Sequence, residues 1–336
     1  MIDLHTYYTA LLFFCFAILV GVFFVILRRN TVNAMKTIGL LTCCAVVLLL
    51  GAGCSRCSNE GEQQSSSTLY DANRQQGQSG QGDNLVEVKI PSGVSNRRID
   101  YEAMTVYFNP KYHIPNCVAY ELTATEIAQT DAPDAQKRNN YTFNADPKVS
   151  GCPEWWEYKE SYYDRGHMAP AMDMRWSAKT MEQCFYMTNI CPQDHDLNNG
   201  EWRKMEEAIH SWARTYKQLY IMTGPVLPKN NIEMTGKNGD IAVPQQFFKV
   251  VYAPQQNMAI AFLFDNENAT TSWRKHSTTI DEVERLTGID FFSSLPDTTE
   301  DAVEAQNRFS KWPYHRDREF NDGYNYNSTR TRKRTH

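Results

Sequence analysis

The chain of 336 residues has no excess of basic side chains, since 34 lysines and arginines stand against 39 aspartates and glutamates. A protein that attracts polyanions over its whole surface carries net positive charge, so this composition argues against diffuse binding of that kind. Any phosphate binding would therefore have to come from a local basic site. A collagen-like, coiled-coil or wholly disordered protein is also excluded, because 42% of the residues are hydrophobic and 22% are charged.

The body of the chain has no Cys-x-x-Cys pair, which argues against a zinc ribbon or a thioredoxin-type site there. Cys54 and Cys57 have this spacing, but they lie beside an apolar leader and lack a second pair. If the body is exported, one or two disulfides are an open option, and their pairing cannot be read from the sequence. The body cysteines concerned are Cys117, Cys152, Cys184 and Cys191.

Two long apolar segments open the chain. Tyr8–Leu27 has about the length of a membrane-spanning helix, and the following Arg28-Arg29 favours the cytoplasm for that end. The second segment starts at Met35-Lys36 and ends in Leu50–Cys54 (LGAGC), which resembles a bacterial lipoprotein signal with a lipidated cysteine. In one interpretation, translation starts at Met35 and the chain is anchored to the membrane through lipid on Cys54.

In the alternative reading, both segments are membrane helices and the second carries the body outward. Both readings place the body outside the cytoplasm, and the lipoprotein reading is favoured. We therefore predict membrane segments and a lipoprotein signal in 1–54, and a flexible Gln/Ser/Gly-rich linker in 55–84. A folded domain is predicted over 85–312, followed by a polar, basic tail over 313–336.

The folded domain interleaves strand and helix patterns without regular βα alternation. Apolar residues at steps of three and four from Trp202 to Tyr216 predict a helix that follows Asn198, and a second helix is predicted over Ser277–Thr287 before Gly288. This mixture predicts an α+β domain with a central, mostly antiparallel sheet flanked by helices. The predicted strands, rich in Val, Ile, Phe and Tyr, are Leu85–Ile90, Met104–Phe108, Cys117–Thr123, Cys184–Thr188, Leu219–Thr223, Gln246–Tyr252 and Met258–Phe264.

Between Tyr163 and Glu207 lie the side chains that metal-assisted phosphodiester cleavage needs. His167 can serve as a base near neutral pH, and Arg165 suits phosphate oxygens. Asn198 and Glu206 offer oxygens to a hard divalent cation. If Asn198 and Glu206 lie on one helix, the eight steps between them turn the two side chains to within about 80° of each other about the helix axis, so both could flank one site.

Each of these side chains also has an ordinary structural interpretation. A histidine among aromatics is often a core residue, and Asn198 could simply cap a helix. Glu206 could be a solvated helix charge, and Arg165 could be part of a surface ion pair. Trp202 is interpreted as core rather than as a platform for stacked bases. His195 and His210 are interpreted as structural or surface residues.

The joint pattern resembles the DNA/RNA non-specific endonucleases, the ββα-metal or His-Me finger group that includes the endonuclease G-like enzymes. The order and spacing of the matching motifs agree with that family, and further likeness covers about 100–295. The matching motifs are Asp164-Arg165-Gly166-His167, Asn189-Ile190-Cys191-Pro192-Gln193 and Leu197-Asn198-Asn199-Gly200-Glu201-Trp202 with Glu206.

The resemblance implies roles for individual residues. His167 would be the general base and Asn198 the direct protein ligand of Mg²⁺, which Mn²⁺ or another divalent cation could replace. Glu206 would contact the metal through water, and Arg165 and Asn189 would position phosphate or the catalytic loop. Arg138 would be the upstream arginine that clamps the transition state or product.

The resemblance further implies a strand pair carrying His167 and Asn189, crossed by the helix from Asn198. The implied reaction cleaves DNA and RNA to 5′-phosphate ends, with contacts mainly to phosphates. Where some relatives carry arginine after Glu206, this chain has His210. Two alternatives stay open: a module that binds nucleic acid without cutting it, and a phosphodiesterase for small or lipid-linked esters. A homodimer is one assembly that the sequence allows.

Overall fold

The computed structural model describes residues 85–159 and 161–313. The apolar leader with Cys54, the linker and the tail beyond 313 lie outside the described residues, so the predictions made for them, and the domain bounds, stay predictions. Within the described ranges, none of the helices combines the length and apolar character needed to cross a bilayer.

A seven-stranded sheet with antiparallel neighbours forms the centre of the described domain. Its strand order is β1-β2-β3-β6-β9-β10-β11, while β4 pairs with β5 and β7 with β8 in two small separate sheets. The strands are β1 (Arg97–Asp100), β2 (Met104–Asn109), β3 (Ile114–Thr123), β4 (Asp164–His167), β5 (Ile190–Gln193), β6 (Gln218–Val226), β7 (Met234–Thr235), β8 (Ile241–Ala242), β9 (Gln246–Ala253), β10 (Met258–Asp265) and β11 (Ser277–Thr278).

Helices cover both faces of the sheet, which confirms the predicted α+β class. They are α1 (Ala124–Thr130), α2 (Ala171–Met174), α3 (Ala178–Cys184), α4 (His195–Asn198), α5 (Glu201–Tyr216), α6 (Ile280–Thr287) and α7 (Asp297–Glu304).

The apolar side chains of each strand alternate between two core clusters, one on each face of the sheet. Val106 and Phe247 belong to the cluster that also contains the apolar stripe of α5 and Ile190 of β5, the strand paired with β4. Tyr107 and Phe248, their neighbours in sequence, belong to the cluster that contains the apolar residues of α6 and α7. The sheet therefore separates the surface around β4 and α5 from the surface around α6 and α7.

The predicted helix after Asn198 is confirmed as α5, whose Trp202 is only 1% exposed and belongs to the core, as expected. The second predicted helix is confirmed as the shorter α6, which Gly288 ends at φ 71°. The predicted strands that are confirmed lie at Met104–Phe108, Cys117–Thr123, Leu219–Thr223, Gln246–Tyr252 and Met258–Phe264.

Two predicted strands are wrong. Leu85–Ile90 makes an isolated bridge between Lys89 and Asp290, because a turn follows directly at Pro91 and ends the pairing. Cys184–Thr188 contains the end of α3 and the start of a 3₁₀ turn at Met187–Asn189. Cys184, Phe185 and Met187 are buried, but a short apolar run does not distinguish a strand from a helix end.

The four cysteines of the described domain are free and buried, with no disulfide among them. Burial raises the pKa of every one of these thiols above its ordinary value, to about 12 for Cys152. Each therefore behaves as a small apolar core residue at neutral pH.

Candidate active site

The strand pair β4–β5 supplies the frame of the site. It is antiparallel, with His167 opposite Ile190 and Asp164 opposite Gln193. A Cβ atom on Gly166 would lie 2.6 Å from the Cβ atom of buried Gln193. Position 166 thus needs glycine because the neighbouring strand approaches too closely for any side chain.

His167 ends β4 with its ring between two aromatic side chains. The ring centroid lies 5.1 Å from that of Phe143 and 4.9 Å from that of Phe185. Its buried Nε2 atom has no hydrogen-bond partner among the described residues. Burial, together with the charges of Arg138 and Arg165, lowers the pKa of His167 to about 3, so the free protein holds a neutral imidazole at neutral pH.

Asn189 is fully buried and lies immediately before β5, in the 3₁₀ turn rather than at a strand end. Its Oδ1 atom accepts from the Ala169 amide at 2.9 Å, and Nδ2 donates to the carbonyls of Ala169 and Cys184 at 3.0 and 2.8 Å. These hydrogen bonds tie the Asn189 amide to the backbone, including the segment just after His167. Of its two predicted roles, the contacts favour positioning the loop over contacting phosphate.

Asn198 is the last residue of α4 and not the first of the long helix, because the chain turns at Asn199 and Gly200. A Cβ atom at Gly200 would collide with the Asp196 carbonyl oxygen. The expectation that one helix carries Asn198 and Glu206 was therefore wrong, although both line one cavity.

An acidic side chain fixes the orientation of the Asn198 amide. Nδ2 of Asn198 donates to Oδ2 of Asp164 at 2.9 Å, and the same oxygen lies 3.0 Å from Nδ1 of His195. Because the amide nitrogen is held by Asp164, the carbonyl oxygen is the group of Asn198 that remains to bind a cation. The first residue of β4 thus orients the predicted metal ligand.

Glu206 is a buried carboxylate with two hydrogen-bond donors. Its Oε1 atom accepts from Nε1 of Trp202 at 3.0 Å and from Nζ of Lys249 at 3.1 Å. Nζ of Lys249 also lies 3.3 Å from the carbonyl oxygen of Met168, the residue after His167. Burial raises the pKa of Glu206 to about 7, against the opposing effect of the Lys249 charge. Lys249 therefore connects α5 to the segment that follows the candidate base.

Replacement of Lys249 by methionine should move the acid limb of the pH–activity profile to higher pH. Glu206 must be ionised to attract a cation, and Lys249 stabilises its charged form, so loss of the ammonium group raises the pKa of Glu206. Initial cleavage rates across the neutral pH range will measure this shift. The matched control is Lys204→Met, which breaks an exposed ion pair with Glu201 on α5. An unchanged acid limb in Lys249→Met would refute the link between Lys249 and the ionisation of Glu206.

A cavity of about 230 Å³ joins these elements, and four arginines line it: Arg138, Arg165, Arg175 and Arg203. The guanidinium of Arg138 lies 4.9 Å from the ring centroid of Phe185, and that of Arg165 lies 4.6 Å from that of Phe143. Nε of Arg175 donates to the Gln136 carbonyl at 2.8 Å. The acidic chain thus contains the local basic site that phosphate binding requires.

The cavity brings together five of the six predicted site residues: Arg138, Arg165, His167, Asn198 and Glu206. Asn189 is the exception and lies behind them, holding the backbone. Asp164, Asn198 and Glu206 contribute hard oxygen atoms to the lining of the cavity, which fits a divalent cation such as Mg²⁺ better than a soft metal. The unpartnered Nε2 of His167 fits a site that is completed by another molecule.

Sequence reasoning missed several residues of the site. Asp164 and Arg203 lie inside the recognised motifs but received no role, since spacing alone does not show what a side chain touches. Lys249 carried a usable signal: it is a single charge within the apolar strand β9, and such a lysine needs a buried partner. The exposed His195, interpreted as structural or surface, lines the cavity beside Asp164.

Comparison with known proteins agrees with this site. The family described as DNA/RNA non-specific endonuclease matches residues 81–298. The Nuclease 1, mitochondrial, of Schizosaccharomyces pombe is 28% identical over 230 residues, which cover 62% of this chain and 69% of that protein. The Mitochondrial nuclease of Saccharomyces cerevisiae is 32% identical over 222 residues, which cover 58% of this chain and 65% of that protein.

A solved structure shows the same fold. The crystal structure of the EndoG/EndoGI complex aligns with a TM-score of 0.55 at 24% identity, covering 60% of this chain and 88% of that one. The family match spans more than half of the sequence and includes every motif residue placed in or behind the cavity. The chain therefore belongs to the DNA/RNA non-specific endonuclease family and is a nuclease that depends on a divalent metal.

Proposed function

We propose that this chain hydrolyses phosphodiester bonds of DNA and RNA with Mg²⁺, leaving 5′-phosphate ends. The observation that supports this proposal most strongly is the convergence of His167, Asn198 and Glu206 on one cavity lined by four arginines. The neutral base, the oxygen ligands and the phosphate-binding cations that the reaction needs are thereby present together.

His167 accepts a proton from water as the water oxygen bonds to phosphorus and the bond between phosphorus and the 3′ oxygen breaks. The departing 3′ oxygen takes a proton from solvent water, which leaves a 3′-hydroxyl and a 5′-phosphate. In the free protein the low pKa of His167 keeps the ring unprotonated, although so low a value also makes it a weak base. Burial is the largest cause of this low pKa, and the charges of Arg138 and Arg165 add to it. A bound phosphodiester offsets those two charges and so removes their part of the lowering. Substrate binding thus makes His167 a stronger base only to the extent that these two arginine charges lower its pKa.

Asn198 would hold Mg²⁺ through its carbonyl oxygen, with Glu206 as a nearby negative charge. The cation, when bound, supplies positive charge that stabilises the pentacovalent phosphorus and the departing oxygen. Asp164 keeps the Asn198 amide turned towards the cavity through the 2.9 Å hydrogen bond. Mn²⁺ or another hard divalent cation would fit the same oxygen ligands.

The four arginines that line the cavity bind phosphate oxygens rather than base edges. Arg203 among them also pairs with Glu207, with Nε 2.9 Å from the carboxylate. Guanidinium groups form planar, paired hydrogen bonds with phosphate and keep their charge at any working pH. Contacts to phosphate carry no sequence information. This arrangement accounts for cleavage of both DNA and RNA with little sequence preference.

The direct test is cleavage of plasmid DNA and of RNA by the purified protein with MgCl₂, and its loss in EDTA. End labelling of the products should detect 5′-phosphates. Retardation of DNA without cleavage across several divalent metals would instead identify a binding module. Preference for a small diester over polymeric DNA in a competition assay would identify a different phosphodiesterase.

Glu206→Gln should raise the MgCl₂ concentration needed for half-maximal cleavage by about 10-fold or more. This is the usual effect of removing a residue that does not bind the metal directly but contacts its water molecules or its ligands. The shape of the side chain is kept, so Trp202 and Lys249 retain a hydrogen-bond acceptor. Metal titrations of the initial rate will measure the change. The matched control is Glu121→Gln, an exposed site on β3. Equal metal requirements in the two variants would contradict the role of Glu206.

We also propose that the protein is exported and anchored through lipid on Cys54, with the 55–84 linker as a tether. The support is the sequence Leu50–Cys54 and the Gln/Ser/Gly-rich composition that follows it. Mass spectrometry of the cellular protein should find a lipidated Cys54 at the amino terminus, whereas an unmodified Cys54 in a full-length chain would refute the anchor. A homodimer stays a prediction, which light scattering of the purified protein would test.

A further inference from the structure

A second group of acidic side chains lies on the opposite face of the sheet from the cavity. Asp281 and Glu284 are three residues apart on α6, and Glu304 is the last residue of α7. One carboxylate oxygen from each of the three lies within 4.8 Å of the other two. The apolar residues of these two helices belong to a different core cluster from that of α5.

Glu304 is the unusual member of this group, because its surface is only 6% exposed. Its buried Oε1 atom has no hydrogen-bond partner within the part of the chain that the structure describes. A buried carboxylate oxygen without a partner is costly, and most such atoms in proteins bind a donor, a water molecule or an ion. Glu304 thus keeps an unused acceptor atom among the described residues, which a donor or a cation could occupy.

The surroundings of the three carboxylates add negative charge. Burial and the neighbouring acidic groups raise the pKa of Glu284 to about 7 and that of Glu304 to about 8. Glu304 lies at the carboxyl end of its helix, where the helix dipole also disfavours an anion. The nearby Lys89 pairs with Asp290 at 3.1 Å rather than with any of the three.

We propose that Asp281, Glu284 and Glu304 bind one calcium ion that fastens α6 to α7, separately from the nuclease site. Calcium takes six to eight oxygen ligands and accepts carboxylates in several geometries, whereas magnesium keeps most of its waters. Three converging carboxylates suit the larger ion. The Phe291 amide, which donates to Oε1 of Glu284 at 2.8 Å, holds one of these ligands in place.

Thermal unfolding of the full chain with CaCl₂ tests this site. The Asn198→Ala background removes the ligand proposed for the catalytic metal, so the remaining calcium response reports the second site. We expect a saturable rise in Tm in this background and one calcium ion per chain in calorimetric titration. Adding Glu304→Gln should abolish both, and Asp281→Asn, at an exposed position, should weaken calcium binding without threatening folding.

Glu300→Gln is the matched control, because it removes a charge near Glu304 from outside the group of three. A site-specific ion leaves the calcium response of this variant largely intact, whereas general screening of negative charge would reduce it as much as Glu304→Gln does. Matched concentrations of NaCl complete the comparison. Equal responses in the two variants, or no calcium-dependent rise in Tm, would overturn the proposal.

Discussion

His167→Ala should reduce the cleavage rate of both DNA and RNA by at least about 10²-fold, the usual scale for loss of a general base. The reason is the position of the imidazole: it is neutral, lies between Phe143 and Phe185, and opens on the cavity that holds the arginines. No other described histidine combines burial between aromatic rings with a place in the cavity wall. Initial rates at saturating MgCl₂ will measure the loss.

The matched control is His195→Ala, which removes the other cavity histidine, an exposed ring beside Asp164. Its effect should be much smaller, and both variants should keep the wild-type circular dichroism spectrum. Added imidazole should restore part of the activity of His167→Ala, because the alanine leaves a ring-sized space. A loss smaller than about tenfold in His167→Ala would remove this residue as the base.

Asn198→Ala should cause a comparable loss, because a cation at a phosphoryl centre contributes several kcal/mol and each 1.36 kcal/mol is tenfold in rate. The two losses should differ in their cause. Asn198→Ala should bind the metal more weakly, whereas His167→Ala should bind it as the wild type does. Binding of Mn²⁺, followed by paramagnetic resonance, separates the two.

Asn199→Ala is the matched control for Asn198. The neighbouring asparagine also lines the cavity, and its amide nitrogen lies 3.4 Å from Oδ2 of Asp164, a longer contact than the 2.9 Å made by Asn198. It should retain Mn²⁺ binding and most of the activity. If Asn199→Ala impaired metal binding more than Asn198→Ala did, Asn199 rather than Asn198 would be the direct metal ligand.

The elements that the sequence predicted well are those with strong periodicity. The stripe from Trp202 to Tyr216 lies on one face of α5, and the strands with runs of Val, Ile and Phe form the sheet. The Cys184–Thr188 segment failed because its burial comes from packing around a helix end. Burial of a short segment depends on the tertiary fold, which periodicity does not contain.

Within the site, motif spacing identified which residues belong to the site but did not predict which atoms they contact. The motif predicted that Asn189 matters, but only the coordinates show its amide bonded to the backbone around Ala169. Lys249 lies 43 residues from Glu206 along the chain, so no local pattern joins the two. Pairs formed by strand order and helix packing become visible only in three dimensions.

The four arginines of the cavity have a consequence for how substrate arrives. The chain as a whole carries a formal net charge of -5, while four arginines line the described cavity, so a polyanion meets favourable charge at the cavity without a net basic surface. We therefore expect encounters at the cavity to last longer than those elsewhere on the described surface, so that bound substrate already faces the hydrolytic groups. The enzyme therefore binds its substrate at the site without a broadly basic surface. Such a surface would slow dissociation from the polymer after each cut.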